Sequence, residues 1–379
     1  MARSNFNWST TGTEVAEVFR DQVQGKTVLI TGPSPKSIGE ATALAIARAG
    51  PALLILASRT PSKLDAVADR CRRVVADVAV TGQGRATEVK TVIIDLASLA
   101  SVRSAARQVA ATTDRIHVLI NNAGISTSIR SLSPDGYEMH FAVNHLGHFL
   151  LTNLLLPLIL RAGPGARIIN LSSTAQRISP LRFSDYNFDN EVDGPKRGKI
   201  AIPAGEQPSP RLPAWTLARS ADGFPGTVAY GQSKTANVLF TVALKRRLAD
   251  KGIESFAVHP GEIYSNLATG PISPEFRQEI ENWPPSKWKT PDQGCATTLV
   301  AAFDPNISGE LSMMRSSRLE FAIKTAWFLT GLGPGHIYFE DCHIARPARW
   351  ASDSDTAERL WRLSEELVAG SSRLSGAKL

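Results

Sequence analysis

A chain of 379 residues can bury a large core, either as one long α/β unit or as two smaller ones. Its 43% hydrophobic content is ordinary for a globule, and its net charge of +7 comes from scattered basic residues rather than a dense block. That pattern argues against a nucleic-acid partner and for an anionic small ligand.

Cys71, Cys295 and Cys342 lie far apart and form neither a CxxC nor a disulfide framework, so a reducing, cytoplasmic setting is expected. The first eight residues, Met-Ala-Arg-Ser-Asn-Phe-Asn-Trp, lack the apolar stretch of a secretory signal, and no run reads as long enough to span a bilayer. The sequons at Asn7 and Asn170 are then chance matches.

Residues 27–30 read as a short buried strand, and Gly32 and Gly39 flank the turn that follows. An alanine-rich helix is expected over 38–49, a strand over 53–57 and a helix over 64–75. The alternation continues with a strand over 89–94, a helix over 98–110 and a strand over 116–120. A long, mostly apolar helix is expected over 137–160, then a strand over 166–171, a helix over 227–248 and a strand over 255–258. A final amphipathic helix covers 355–369. Strands alternating with helices predict a Rossmann-type, doubly wound parallel sheet with helices on both faces, in a single domain over 1–369.

Two stretches interrupt the rhythm. Pro203, Pro208, Pro210, Pro213 and Pro225 make a regular helix across 193–226 unfavourable, so this insertion reads as a long loop or flap. The apolar centre of 304–336 reads as a substrate lid, a core helix or an amphipathic segment seated at a surface, which leaves peripheral membrane contact open. Residues 370–379 read as a frayed tail.

The turn Gly32-Pro33-Ser34-Pro35-Lys36-Ser37-Ile38-Gly39 joins the first strand to the first helix. A helix N-terminus there offers unpaired N–H groups to a pyrophosphate. After the second strand, Arg59 stands where a ribose-binding carboxylate would select the unphosphorylated cofactor. A guanidinium can instead fork onto a 2′-phosphate, so NADP(H) is expected, with Lys36 adding to the same field. Farther along, Tyr230 and Lys234 are four residues apart on one helical face. An ammonium near a phenol favours its anion and lowers its pKa, which suits proton exchange with a substrate oxygen.

Taken together and in order, these motifs resemble the short-chain dehydrogenase/reductase family. Within it the chain is similar to the retinol-dehydrogenase-like branch and its many fungal members, over residues 7–303 and again over 337–369. Fungal relatives often carry Ser-Pro-Gly-Gly in the first turn; here Lys36 and Ser37 replace the two glycines, at a cost in strain if either needs positive φ.

The resemblance implies that Asp95, followed by Leu96, holds the adenine. It implies that Asn122, Ala123 and Gly124, in Asn121-Asn122-Ala123-Gly124, pass close to the ribose while the asparagines tie adjacent strands. It makes Asn144, Ser173 (rather than Ser172), Tyr230 and Lys234 a catalytic tetrad. Asn144 would help expose a helix carbonyl to a water that relays protons through Lys234. Pro260, Gly261, Ile263 and Ser265 would frame the nicotinamide. His145 and His148 suggest a metal only superficially, because no third ligand follows at sensible spacing.

The implied activity is hydride transfer between nicotinamide and the carbonyl or alcohol of an apolar or aromatic small molecule, by a monomer or homodimer. A dehydratase or epimerase step in secondary metabolism, or a non-catalytic dinucleotide-binding role, are the alternatives.

Overall fold

One eight-stranded sheet organises the chain, in the order β3-β2-β1-β4-β5-β6-β7-β8. The computed structural model describes residues 5–80, 86–189, 202–263, 272–307 and 337–370. The strands are β1 (Thr27–Thr31), β2 (Leu53–Ser58), β3 (Glu88–Ile93), β4 (Val118–Asn121), β5 (Arg167–Leu171), β6 (Glu254–His259), β7 (Tyr338–Glu340) and β8 (His343–Ile344). All neighbours pair in parallel except β7 and β8. This is the doubly wound Rossmann-type sheet expected from the alternation of elements.

Side-chain alternation divides the core between the two faces. Leu29 and Ile55 point to one face, with helices α5 (Leu99–Thr112), α6 (Phe141–Ala162), α7 (Gly226–Leu248) and α11 (Ser354–Gly370). Val28, Ile30, Leu54 and Leu56 point to the other, with α1 (Gly12–Val18), α3 (Ile38–Ala49), α4 (Pro61–Val80) and α9 (Pro291–Phe303). Central strands such as β1 are buried throughout, while the edge strand β3 alternates between covered and exposed positions.

The direction of the chain reverses between β1, which leads out to β2 and β3, and β4, which leads to β5 and β6. Such a switch point leaves a crevice at the carboxyl ends of the strands. The turn after β1 and the segment after β4 border it.

Several elements were not apparent from periodicity. Helix α1 is a short arm capped by a Thr11–Glu14 capping box, and it packs so closely on α9 that a methyl on Gly12 would fall 2.1 Å from Cys295 Sγ. The four-residue helix α2 (Arg20–Val23) links it to β1. Helices α8 (Pro274–Glu281) and α9 both begin with proline in the first turn, a good helix start, yet they are too short or too evenly buried for a clear amphipathic stripe. Strands β7 and β8 and the short α10 (Arg349–Ser352) complete the set.

Helix α6 corrects the reading that no run is long enough to cross a bilayer: it has 22 residues and is apolar enough to do so. Here it is a core helix, because Asn144, His145, His148 and Thr152 are all buried within the fold. Its first turn, Phe141–Leu146, is a π-helix.

The described part of the insertion, 202–226, forms the single 3₁₀ turns Ala204–Glu206 and Ala214–Leu217 rather than a long helix, as its prolines dictate. Most of the 304–336 segment and the tail after Gly370 lie outside the described residues.

Gly147 opens the α-helical part of α6 directly over the loop after β3, where an added Cβ would lie 2.4 Å from the Leu96 carbonyl oxygen. Gly147→Ala should therefore lose about 1–3 kcal/mol of unfolding free energy in urea titrations. Gly205→Ala, which meets open space, should stay within about 0.5 kcal/mol.

Candidate active site

Tyr230 and Lys234 share one face of α7, with Lys234 Nζ 5.6 Å from the Tyr230 ring centre. Most of α7 is buried on all sides, because it is wedged between the sheet, α6 and α11. Lys234 is 4% exposed, and its ammonium donates to the carbonyl of Leu171 at the end of β5, 3.0 Å away.

The next two residues divide their roles. Ser172 Oγ donates to the main-chain carbonyl of Lys234 at 2.8 Å, tying β5 to α7. Ser173 has extended backbone, caps the 3₁₀ turn Thr174–Arg177 by accepting from Ala175 N–H at 3.2 Å, and its side chain acts on the Tyr230 phenol, favouring the phenolate. Ser173 is thus the serine that acts on the phenol, while Ser172 Oγ is spent on the Lys234 carbonyl.

Asn144 lies in the π-turn. Its amide oxygen accepts from Ile125 N–H at 2.8 Å, and its amide nitrogen donates to Ile125 O and to Ser233 Oγ at 3.0 and 2.9 Å. Its side chain therefore clamps the segment after β4 to α7. Its main-chain carbonyl differs from expectation. Asn237 Nδ2 donates to it at 2.7 Å, and His148 Nδ1 lies 3.2 Å from it. Both lone pairs are engaged by protein, so this carbonyl is not open to a relay water.

His148 also sits 2.8 Å from Thr31 Oγ1, and His145 is 2.7 Å from Ser364 Oγ. Burial holds them down to about 4 and about 3, so both are neutral structural groups. Among the described residues no cluster of metal-binding side chains is present.

A cavity of about 300 Å³ opens between the turn after β1 and the segment after β4. Gly32, Ser34, Lys36, Ser37, Ile38 and Gly39 form one wall. Asn122, Ala123 and Gly124 form the other, with Tyr230, Lys234 and Pro260 at the far end. The backbone approach is close: a Cβ on Gly32, whose φ is +73°, would fall 2.6 Å from the Ala123 side chain. Asn122 donates to Thr31 O at 2.7 Å, and Asn121 donates to Asn170 at 2.9 Å, so the asparagines tie neighbouring strands.

Ser37 caps α3 by accepting from Glu40 N–H at 3.2 Å. Among the described residues the N–H groups of Ile38 and Gly39 have no acceptor, as an anion site at a helix start requires. Lys36 is the substitution with a visible consequence: it holds φ +62°, the left-handed region that glycine would occupy freely.

Arg59, Asp95 and Leu96 lie beyond this cavity, at the carboxyl ends of β2 and β3. Arg59 is exposed and makes no ion pair among the described residues. Asp95 spends one carboxylate oxygen on Ala97 N–H at 3.0 Å, and Leu96 is buried. Ser265 lies outside the described residues.

A second cavity, of about 390 Å³, meets the first at Tyr230, Ser172 and Pro260, and is also lined by Gly261 and Ile263. Leu212, Pro213, Trp215 and Thr216 of the insertion form part of its wall, together with Phe276, Trp283 and Trp288. These groups, together with Thr174, Glu262 and Asn237, were not evident beforehand. The aromatic residues come from separate segments, and only the dense 283–288 run, with two tryptophans, was a local signal.

The acid–base balance also departs from expectation. Burial pushes the Tyr230 phenol upward, and its bond to Ser173 offsets this only in part. Burial brings Lys234 down to about 7. Burial is the first cause of both shifts, and it moves each group against its charged form.

Outside comparisons agree with this architecture. The short chain dehydrogenase family model matches residues 26–187. Retinol dehydrogenase 12 of Mus musculus is 32% identical over 356 residues, covering 92% of this chain and 87% of its own length. Oxidoreductase fscI of Fusarium equiseti is 34% identical over 260 residues, covering 68% and 94%. A crystal structure from Mycobacterium paratuberculosis superposes with a TM-score of 0.55 at 29% identity, covering 91% of this chain and 93% of that one. The chain belongs to the short-chain dehydrogenase family of oxidoreductases.

The Lys234 shift has a measurable sign. The unfolded chain keeps this lysine's proton to about 10.4, whereas the folded protein releases it near 7. Between those limits the unfolded state binds the extra proton, so folding stability gains as pH rises from about 7. The unfolding free energy of wild type minus that of Lys234→Met should climb by about 1 kcal/mol per pH unit between pH 7 and 10 and be flat below. A difference independent of pH across that window would contradict a neutral buried amine.

Proposed function

We propose that the protein is an NADP(H)-dependent reductase of aldehydes or ketones, acting on apolar or aromatic small molecules with Tyr230 as general acid. The observation that carries this reading is the place of Tyr230 at the junction of two cavities, with Lys234 on the same helical face and the Ser173 side chain acting on the phenol. One cavity has the glycine turn, helix start and close backbone approach that a dinucleotide needs; the other is walled by aromatic rings.

The fit to the cofactor rests on the Gly32–Ala123 approach and the free N–H groups at the start of α3. When bound, NADPH supplies a hydride from its nicotinamide ring. Gly32, Ser34, Lys36, Ser37, Ile38 and Gly39 would hold the pyrophosphate, and Arg59 the 2′-phosphate. Asp95, Leu96, Asn122, Ala123 and Gly124 would border the adenosine. Lys234 would reach the ribose, and Pro260, Gly261, Ile263 and Ser265 would frame the amide.

Ser173 donates a hydrogen bond to the substrate carbonyl, which strengthens as negative charge grows on that oxygen. Tyr230, kept protonated by burial, gives its proton to the same oxygen. Lys234, titrating near 7, is poised to return a proton to the phenol. Asn144 acts as a positioning residue, through Ile125 and Ser233, and not through its carbonyl.

The reducing direction follows from a phenol held in its acid form and from a cofactor that cells keep reduced. The relatives named retinol dehydrogenase are in keeping with an apolar substrate. A fungal-type, secondary-metabolic setting is part of this proposal, and a similar oxidoreductase comes from Fusarium equiseti.

Titration of nicotinamide fluorescence should show saturable binding of NADPH and far weaker binding of NADH. Arg59→Ala should weaken NADPH by about tenfold or more, with NADH little changed. Tyr230→Phe should lower kcat by about 10²–10⁴ while NADPH still binds. Equal affinity for both cofactors would sink the phosphate preference, and undiminished kcat in Tyr230→Phe would sink the acid assignment.

A further inference from the structure

The second cavity combines a flat aromatic wall with one acidic side chain that nothing in the tetrad uses. Trp215 of the insertion stacks on Phe276 of α8, with ring centres 4.7 Å apart and planes 13° from parallel. Phe276 meets Trp283 edge-on at 6.5 Å, and Trp283 meets Trp288 at 5.2 Å. These contacts clasp the insertion to the segment after β6 and give the cavity a broad, rigid π surface.

Glu262 stands on the same cavity, between Gly261 and Ile263. Thr174 Oγ1 donates to Glu262 Oε1 at 3.3 Å. Thr174 follows Ser173 in the chain, so the carboxylate sits beside the carbonyl-binding groups, and its charge is felt at the Tyr230 phenol.

No lysine or arginine pairs directly with Glu262 among the described residues, although the Lys287 charge acts on it at longer range. His259 Nε2 is 3.9 Å away, but burial holds that imidazole down to about 3, so it is neutral. Lys287 lies over the Trp283 ring, 3.2 Å from its centre, and Arg177 is engaged by Glu340 and the Arg346 carbonyl. Glu262 Oε2 has no partner among the described residues. A partly buried carboxylate with an unused lone-pair face favours a ligand that donates a hydrogen bond to it. A cationic donor is disfavoured, because Lys287 and Arg177 line the same space. A neutral hydroxyl meets both requirements.

We propose that Glu262 is a specificity-determining residue that accepts a hydrogen bond from a hydroxyl on a flat, aromatic carbonyl substrate stacked along the Trp215–Phe276 wall. The inference rests on the carbonyl-reductase reading above and names its substrate class: hydroxylated polycyclic aromatic ketones or quinones. Burial raises the Glu262 carboxyl above its ordinary value, against the lowering pull of the Thr174 hydroxyl and the Lys287 charge.

The test uses the full chain with 1-tetralone and its four ring-hydroxylated isomers. NADPH oxidation reports turnover, and quenching of tryptophan fluorescence in the NADP⁺ complex reports binding. Wild type should favour at least one hydroxylated isomer over 1-tetralone by about tenfold or more in kcat/KM, mostly through KM, and in affinity. Glu262→Leu should bring that ratio to within about threefold, while Glu262→Gln, which keeps an accepting oxygen, should retain most of it. Thermal melts of each variant verify the fold.

A preference that persists in a folded Glu262→Leu, or its absence from wild type, overturns the inference. Binding that is selective and Glu262-dependent without any turnover would leave the inference standing and overturn the reductase reading instead.

Discussion

The hydrogen bond from the Asn237 amide to the Asn144 carbonyl, 2.7 Å long, fixes two helices whose registers set the site. Asn144 lies in the π-turn that opens α6. A carbonyl in a buried core needs a donor. Asn237 supplies it from α7, the helix that also carries Tyr230 and Lys234. The same turn aims the Asn144 side chain at Ile125 and Ser233, so the segment after β4, α6 and α7 are joined at one residue. Beneath them, Asn121, Asn170 and Thr241 carry the chain of polar contacts across β4, β5 and α7. Buried polar networks of this kind fix geometry more tightly than apolar packing alone, even though Asn121 Oδ1 and Asn237 Oδ1 find no partner among the described residues.

Burial sets the direction of protonation at the site. The phenol is held as an acid and the lysine is brought near neutrality. A phenol that keeps its proton until a carbonyl accepts hydride suits reduction, because negative charge develops on the substrate oxygen at the moment the proton is needed. The amine beside it gains most from charge arriving nearby, so an anionic dinucleotide in the adjoining cavity would favour its ammonium form.

What the sequence made legible was local. The βα alternation, the buried strand runs and the proline-broken insertion all show within a few residues. So do the turn after β1 and the Tyr230/Lys234 spacing. The strain at Lys36 was legible too, as a lysine standing where a glycine is expected. What escaped was assembled from distant segments. Trp215 and Phe276 stack although a strand and a long helix separate them in the chain. Glu262 acquires meaning only once Thr174 is beside it. The engaged Asn144 carbonyl depends on a donor far along the chain, and periodicity cannot anticipate such a pairing. The sign of the Tyr230 shift required knowing that its surroundings are dry, which a four-residue spacing does not reveal.

The turn after β1 shows how a local cost is supported by its surroundings. Lys36 in the left-handed region is less favourable than glycine there by roughly 1–2 kcal/mol. Its N–H is held at 2.6 Å by Glu40 Oε2, and Glu40 is in turn paired with Arg70 of α4. The glutamate thus fixes the strained residue from inside the helix, while Arg70 offsets the negative charge that would otherwise face an incoming phosphate. With Glu40 neutralised from behind, the Lys36 cation and the α3 N-terminus remain the dominant fields at the mouth of the cavity. The replacement of two glycines by Lys36 and Ser37 therefore exchanges conformational ease for charge and for a helix cap, and it preserves the anion-binding character of the turn.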